Sequence, residues 1–159
     1  MTVVSNTSPL LNLALIDRLS LLELQFEHVV VPTAVWDELT AGQEGVDRLE
    51  AVRGRGGIRV VSPEPTGLLT EFERELDRGE AAALAHAIDI DAERVLLDER
   101  EGRAAASRHG VPVTGAVGIL LRASRHDEID LRTELDALRE AGFWISDSLY
   151  ERALGMDKE

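Results

Sequence analysis

Short runs of β-branched and apolar residues alternate along the chain with longer segments of helical periodicity. The runs predict five short strands, at residues 3–5, 28–31, 58–61, 95–97 and 112–115. The periodic segments predict helices at residues 9–16, 18–24, 33–39, 46–52, 68–77, 80–89, 101–109, 116–124, 131–141 and 146–154. Because strands and helices alternate, we expect a parallel sheet covered by helices on both faces, with residues 58–61 at an edge.

The first strand ends at small polar residues and runs straight into an apolar helix. Pro9 suits the first turn of that helix, and Ser8 is placed to cap it. Asn6 lies at the carboxyl end of the strand, where ligands bind in open α/β sheets. The same reasoning puts residues 6, 98 and 114 along one rim of the sheet.

Three acidic residues occupy places where strand ends and helix termini meet. Asp98 directly follows the strand at residues 95–97, and the alternative is that it caps the helix beginning near Arg100. Glu80 opens an alanine-rich helix that can pack closely on a strand, although a glutamate in a first turn can simply complement the helix dipole. Glu38 lies in the last turn of its helix, where a carboxylate opposes the dipole and needs solvent or a cation nearby.

Together with the amide of Asn6, these side chains make a set of hard oxygen donors. The predicted metal ligands are Asn6, Glu38, Glu80 and Asp98. Mg²⁺ prefers such oxygens, and it commonly takes one or two carboxylates plus water. A cluster of carboxylates also repels itself, so that a bound cation would stabilise the fold as well as the chemistry.

Composition narrows the classes of function. The formal net charge is −13, which repels nucleic acid unless a metal or a local basic patch offsets it. Cysteine is absent, which excludes disulfides, thiolate zinc sites and cysteine nucleophiles. Lys158 is the only lysine, which argues against a lysine-based active site. No apolar run approaches the ~18 residues that cross a bilayer, and no basic leader precedes a cleavable apolar stretch. We therefore expect a cytoplasmic protein with no membrane contact.

Six segments, in order along nearly the whole chain, resemble the PIN domain family. The similarity is to PilT N-terminus-like proteins related to toxins of VapBC-type toxin–antitoxin pairs. The segments are residues 4–10 (VSNTSPL), 35–39 (VWDEL), 76–81 (LDRGEA), 96–103 (LLDEREGR), 113–115 (VTG) and 142–146 (GFWIS). No single motif is specific, and it is the ordered set that carries the resemblance.

The resemblance implies one domain over residues 1–159 with a three-layer α/β/α fold and a central parallel sheet of four to five short strands. It also implies a Mg²⁺- or Mn²⁺-dependent ribonuclease acting on RNA, the toxin of a pair with a cognate antitoxin. The family's acidic positions fall on Asn6, Glu38, Glu80 and Asp98, and its hydroxyl falls on Thr7 or Ser8. The first acidic position is typically aspartate, so Asn6 removes one negative charge.

In the mechanism that the resemblance implies, water attacks the scissile phosphate beside the metal. Glu38, Glu80 and Asp98 hold the metal, and Asn6 is a neutral ligand or orients the water. Ser8 or Thr114 positions that water or a phosphate oxygen.

Several residues admit two interpretations. Arg103 either faces the rim and holds phosphate, or pairs with Glu99 and Glu101 on a solvated face. The Arg- and Gly-rich residues 53–57 are either a plain turn or a small RNA contact. The helices within residues 131–154 either pack on their own domain or form a surface for a homodimer or an antitoxin. We assign both tryptophans, Trp36 and Trp144, to the core, and consider base stacking on an aromatic platform improbable.

Two other functions remain as alternatives. The first is a PIN-like module with a weakened site that acts through a protein partner, which the Asn6 substitution and the acidic charge favour. The second is a phospho-receiver domain, which also clusters carboxylates at strand ends and has a hydroxyl near the position of Thr114. A receiver normally needs a lysine close to that site, and Lys158 is far along the chain.

Overall fold

Five parallel strands form the centre of the protein, whose residues 2–157 are described by a computed structural model. The strands are β1 (Val3–Ser5), β2 (Val29–Pro32), β3 (Ile58–Val61), β4 (Arg94–Leu96) and β5 (Val113–Thr114). Their order across the sheet is β3-β2-β1-β4-β5, and each neighbouring pair is parallel. The predicted parallel sheet is confirmed, and β3 is an edge strand as expected.

Helices connect the strands and cover the sheet. They are α1 (Thr7–Leu15), α2 (Ser20–Phe26), α3 (Thr33–Ala41), α4 (Val46–Gly54), α5 (Gly67–Phe72), α6 (Arg78–Asp89), α7 (Arg100–Arg108), α8 (Ala116–Arg125), α9 (Leu131–Glu140) and α10 (Asp147–Asp157). Helix α6 lies against β1, β2 and β4, and α3, α5 and α7 pack on it. A second group contains α1, α2 and α8, of which α2 contacts β2 and α8 contacts β5. The result is the predicted three-layer α/β/α arrangement.

The core sits on both sides of the inner strands. Every residue of β1 and β2 is buried, which is why these segments, apart from Ser5, are apolar without alternation. In α6 the run from Gly79 to Ala85 is buried, since small side chains let this helix lie close to the sheet. That close approach brings Glu80, in the first turn of α6, to the edge of the sheet.

The last two helices pack against α8 and against each other. Glu134 of α9 is buried and accepts a 2.6 Å bond from Arg18, which ties α9 to the first part of the chain. Arg139 stacks on the ring of Tyr150 at 4.3 Å and so joins α9 to α10. Within residues 2–157, no helix combines the length and the apolar character that crossing a membrane requires.

Trp144 was wrongly assigned to the core, since 82% of it is exposed. Gly142, with φ of +101°, turns the chain after α9. Residues 143–146 belong to no helix or strand. Ile145 is buried and Phe143 is half-buried, which leaves Trp144 in solvent. Trp36 is buried, as predicted.

The Arg- and Gly-rich segment is partly helical, not a loop throughout. Arg53 and Gly54 close α4, and the Arg53 guanidinium lies 5.0 Å from the centre of the Trp36 ring. Arg55 forms an ion pair with Glu23 at 2.7 Å. Two of its arginines therefore have structural contacts. The predicted helix at residues 68–77 is also too long, since α5 ends at Phe72. Lys158 lies outside the described residues.

Candidate active site

Three of the predicted site residues lie at the carboxyl ends of adjacent strands, at one edge of the sheet. Ser5 pairs with Leu96, and Leu96 pairs with Thr114, so the ends of β1, β4 and β5 are level. The backbone N–H of Asn6 donates to the carbonyl of Leu96 at 3.0 Å, which fixes Asn6 beside the end of β4. The predicted rim of residues 6, 98 and 114 is therefore present.

A small cradle lies above the backbone of Gly79, at the start of α6. A Cβ atom on Gly79 would lie 2.9 Å from Glu38 Oε2, 3.1 Å from Asn6 Oδ1 and 3.4 Å from Thr7 Oγ1. The Thr7 hydroxyl donates to Glu38 Oε2 at 3.1 Å. Oxygens from three residues, at the start of α1 and in α3, thus face one space that only glycine leaves open. We call this space the Gly79 cradle.

Asn6 presents an unpaired oxygen to this cradle. The residue is only 2% exposed, and its amide nitrogen donates to Glu99 Oε2 at 3.2 Å. Its Oδ1 atom is buried without a hydrogen-bond partner among the described residues. Leaving a buried acceptor unsatisfied costs about 1–3 kcal/mol. An unpaired amide oxygen beside a carboxylate oxygen is an arrangement that a hard cation would satisfy.

Two further carboxylates adjoin residues of the cradle: Glu80 follows Gly79 in the chain, and Glu99 accepts from the Asn6 amide. Glu80 is 6% exposed, and burial raises its pKa to about 7, with the nearby charges of Asp77 and Glu99 adding to the rise. The side chain of Asp77 caps α6 by accepting from the backbone N–H of Glu80 at 2.8 Å. Burial also raises the pKa of Glu99.

Glu99 is a site residue that the sequence did not reveal, because it was considered only as a partner of Arg103 on a solvated face. Glu99 comes directly after Asp98 at the end of β4, and this position could have indicated that it belongs to the site. Gly79 belongs to one of the segments that resemble the PIN family, but nothing in the sequence explains why a glycine stands there. The cradle supplies that reason.

Asp98 is held by two donors. The Ser8 hydroxyl donates to Oδ2 at 3.2 Å, and the backbone N–H of Ala116 donates to Oδ1 at 2.9 Å. Burial raises the pKa of Asp98, while these two bonds and the charge of Arg103 act in the opposite direction. Asp98 therefore binds the first amide of α8. It does not cap α7, whose N-cap residue is Glu99.

Ser8 was predicted to cap α1, and this was wrong. The N-cap residue is Asn6, and Ser8 lies inside the helix. Its hydroxyl accepts from the amide of Asn12 at 3.0 Å and donates to Asp98, because α1 passes directly beside the end of β4. Ser8 thus orients a site carboxylate.

The two predicted substrate residues are also at the edge. The guanidinium of Arg94 donates to the Thr114 hydroxyl. The Nε atom of Arg103 donates to the backbone carbonyl of Asp98 at 3.2 Å. Within the described residues Arg103 forms no ion pair with Glu99 or Glu101, and its charge acts on Asp98 at the rim.

The oxygen donors do not all converge on one point. Among residues 2–157 no three acidic or histidine side chains are grouped as metal ligands. Asn6 and Glu38 face the same cradle, whereas Asp98 is bonded to Ser8 and Ala116. Mg²⁺ commonly uses one or two carboxylates and keeps several waters, so the donors of the Gly79 cradle fit such an ion.

The pKa of Glu80 predicts how stability depends on pH in metal-free protein. Between pH 4.5 and about 7 the folded protein keeps a proton on Glu80 that the unfolded chain has released. The free energy of unfolding therefore falls as pH rises through this window, by up to about 3 kcal/mol from this group. Glu80→Gln should remove that part of the fall, as measured by urea unfolding with EDTA at about pH 5 and about pH 8.

The matched control is Glu73→Gln, because Glu73 is exposed and makes no side-chain hydrogen bond within the described residues. This control should keep the pH dependence of the wild type. If the free energy of unfolding of the Glu80 variant depended on pH as that of the wild type does, Glu80 would be ionised in the folded protein.

Comparison with known families agrees with this fold. A family model described as a PIN domain matches residues 2–159. No curated protein matches the chain.

Proposed function

The chain belongs to the PIN domain family, whose fold is of the nuclease type, and we propose that it is a Mg²⁺- or Mn²⁺-dependent endoribonuclease. The observation that carries the proposal is the Gly79 cradle, where the unpaired Asn6 Oδ1 and Glu38 Oε2 face one space. Carboxylates and an amide at the carboxyl ends of parallel strands are placed where such folds bind ligands.

Asn6 and Glu38 would hold the ion, and Asp98 and Glu80 would extend its coordination through water. When bound, a divalent metal activates water and neutralises charge on a phosphoryl oxygen. The chain's own residues set the geometry. Glu99 orients the Asn6 amide, and Ser8 and the Ala116 N–H fix the Asp98 carboxylate.

Residues on the other side of the rim are suited to the substrate. The Thr114 hydroxyl accepts from Arg94 and can donate its own proton to a phosphate oxygen. The Arg103 guanidinium is tied to the Asp98 backbone through Nε, which leaves its outer nitrogens for phosphate. These two residues would position the scissile phosphate next to Asp98.

We place this activity in a toxin–antitoxin pair, with the chain as the toxin and a cognate antitoxin as its partner. Support for this part comes from the resemblance to toxin-related PIN domains across the ordered segments of the sequence. A homodimer is a further expectation. The cytoplasm, where such a pair would act, is the proposed location.

The test is a titration of Mn²⁺ and Mg²⁺ with a labelled structured RNA, for the wild type and for Asn6→Asp. We expect cleavage that requires metal. Asn6→Asp adds a charge to the cradle, so it should bind Mn²⁺ roughly tenfold more tightly and cleave at lower metal concentration. Without metal the variant should be less stable, since the new carboxylate loses the bond to Glu99 and repels it.

A second function is favoured by the asparagine itself and by the absence, among residues 2–157, of three grouped acidic ligands. This is a PIN-like module that acts through a protein partner without cleavage. Cleavage by Asn6→Asp but not by the wild type would support it. Cleavage by the wild type that persists in excess EDTA would contradict both functions.

A further inference from the structure

A cleft of about 1010 Å³ opens at the edge of the sheet, between α8, α10 and the segment that follows α9. Its walls are basic. Six arginines line it, from β4, α7, α8 and α10: Arg94, Arg100, Arg103, Arg122, Arg125 and Arg152. Among the described lining residues, Asp98 is the single acidic one. We call this cavity the basic cleft.

The arginines of the basic cleft lack acidic partners. None of the six forms an ion pair with a carboxylate of residues 2–157, whereas five arginines elsewhere do. The chain has 30 acidic against 17 basic residues, so exposed arginines have many acidic residues with which to pair. Six unpaired guanidiniums on one cleft therefore form a positive site that the described part of the fold does not neutralise.

An exposed aromatic side chain borders the same cleft. Trp144 lines it and is 82% exposed, with the half-buried Phe143 beside it. A large aromatic ring in solvent next to guanidiniums offers a surface on which a nucleobase can stack. Stacking needs a base that is free of its own neighbours, which favours a single strand.

The basic cleft is continuous with the candidate active site. Asp98 and Thr114 line the cleft and also belong to the rim at the ends of β4 and β5. A chain of phosphates lying along the arginines would therefore reach the Asp98 carboxylate. The acidic residues behind the net charge of −13 repel a phosphate in the cleft only weakly. Charges more than about 8 Å away are largely screened at physiological ionic strength.

We propose that the basic cleft binds single-stranded RNA, with arginines on the phosphates and a base stacked on Trp144, and leads the strand to Asp98. This inference rests on the proposed ribonuclease function, for which it names the form of the substrate and its path. Arginine is suited to the phosphates because its planar guanidinium forms two parallel bonds to phosphate oxygens.

The test measures binding of a fluorescein-labelled oligouridylate of about 12 nucleotides by anisotropy, in EDTA so that no metal-dependent cleavage occurs. One variant carries both Arg122→Ala and Arg152→Ala, since neither side chain makes a hydrogen bond within the described residues. Its matched control carries Arg59→Ala and Arg74→Ala, two exposed arginines outside the cleft. A third variant is Trp144→Ala, with Trp144→Phe as its conservative partner.

We expect the cleft variant to bind at least tenfold more weakly than its control. The slope of its salt dependence should also fall by about 0.7 for each phosphate that the arginines no longer neutralise. Trp144→Ala should weaken binding about fivefold or more, and Trp144→Phe should recover most of that affinity. Equal binding by the cleft variant and its control would overturn the proposal, even if the wild type cleaves RNA with metal.

Two outcomes separate this inference from the function on which it rests. Cleft-dependent RNA binding without metal-dependent cleavage would keep the cleft and reject the nuclease. Polyglutamate of matched charge is the competitor for an acidic protein partner. The RNA proposal fails if polyglutamate binds the cleft as tightly as RNA does and Trp144→Ala changes neither affinity. The cleft would then bind an acidic protein segment.

Discussion

Asp98→Asn should abolish metal-dependent RNA cleavage while the protein stays folded. The substitution removes one negative charge from the rim but keeps an oxygen that can accept from the Ala116 N–H. It loses the bond from Ser8, at a cost of about 1 kcal/mol in the free energy of unfolding. The loss in kcat/KM should be at least about a hundredfold, which is the order found when one group that stabilises transition-state charge is removed. Initial rates with saturating Mn²⁺ and a thermal melt measure the two effects.

The matched control for this experiment is Asp91→Asn. Asp91 is exposed, follows the far end of α6, and has φ of +53°, a conformation that asparagine also adopts. The Asp91→Asn variant should cleave RNA at the rate of the wild type. Unchanged cleavage by Asp98→Asn would remove Asp98 from the site and leave the Gly79 cradle alone to hold the metal.

Gly79→Ala should close the cradle without weakening the fold. The added Cβ would lie 2.9 Å from Glu38 Oε2 and 3.1 Å from Asn6 Oδ1, so that both oxygens must move away from the space they face. Alanine is better than glycine inside a helix by up to about 1 kcal/mol, which offsets the cost of displacing Asn6 and Glu38, so the melting temperature should change little. Mn²⁺ affinity should fall at least tenfold and cleavage should fall with it, as followed by calorimetric titration and by initial rates.

Gly155→Ala is the matched control for that change. Gly155 lies in α10, and a Cβ there would have no described atom within 4 Å. It should gain the same helical preference without altering Mn²⁺ binding. If Gly79→Ala bound Mn²⁺ as the wild type does, the cradle would not be the metal position, whatever the rate of cleavage.

The strands and helices could be predicted from the sequence because the burial of each segment determines which of its positions are apolar. Strands β1 and β2 are buried on both faces, so their sequences are apolar without alternation, apart from Ser5 at the end of β1. Gly110 has φ of +69° just after α7, as a glycine that ends a helix should. Alternation of these elements then implied a parallel sheet, and the strand ends put Asn6 and Asp98 at one edge.

The hydrogen-bond partners of the site residues could not be predicted from the sequence. The hydroxyl of Ser8 was expected to cap its own helix, which is a local choice, but it bonds to Asp98, 90 residues away. Glu99 was expected as a partner of Arg103 on the same helix, but it accepts a hydrogen bond from the Asn6 amide. In each case a neighbour in space competes with a neighbour in sequence, and the pattern of apolar positions contains no information about that competition.

The sequence by itself determined the order of strands and helices, the parallel sheet, the resemblance to PIN domains and the placing of oxygen donors at strand ends. These features follow from the periodicity of apolar positions, from the composition and from short motifs, each of which involves only a few neighbouring residues. Tertiary structure alone decided that Gly79 opens a cradle, that Trp144 faces solvent, and that arginines of β4, α7, α8 and α10 line one cleft. The reason is that distances between elements depend on how closely their side chains pack, and that packing is a property of the whole chain.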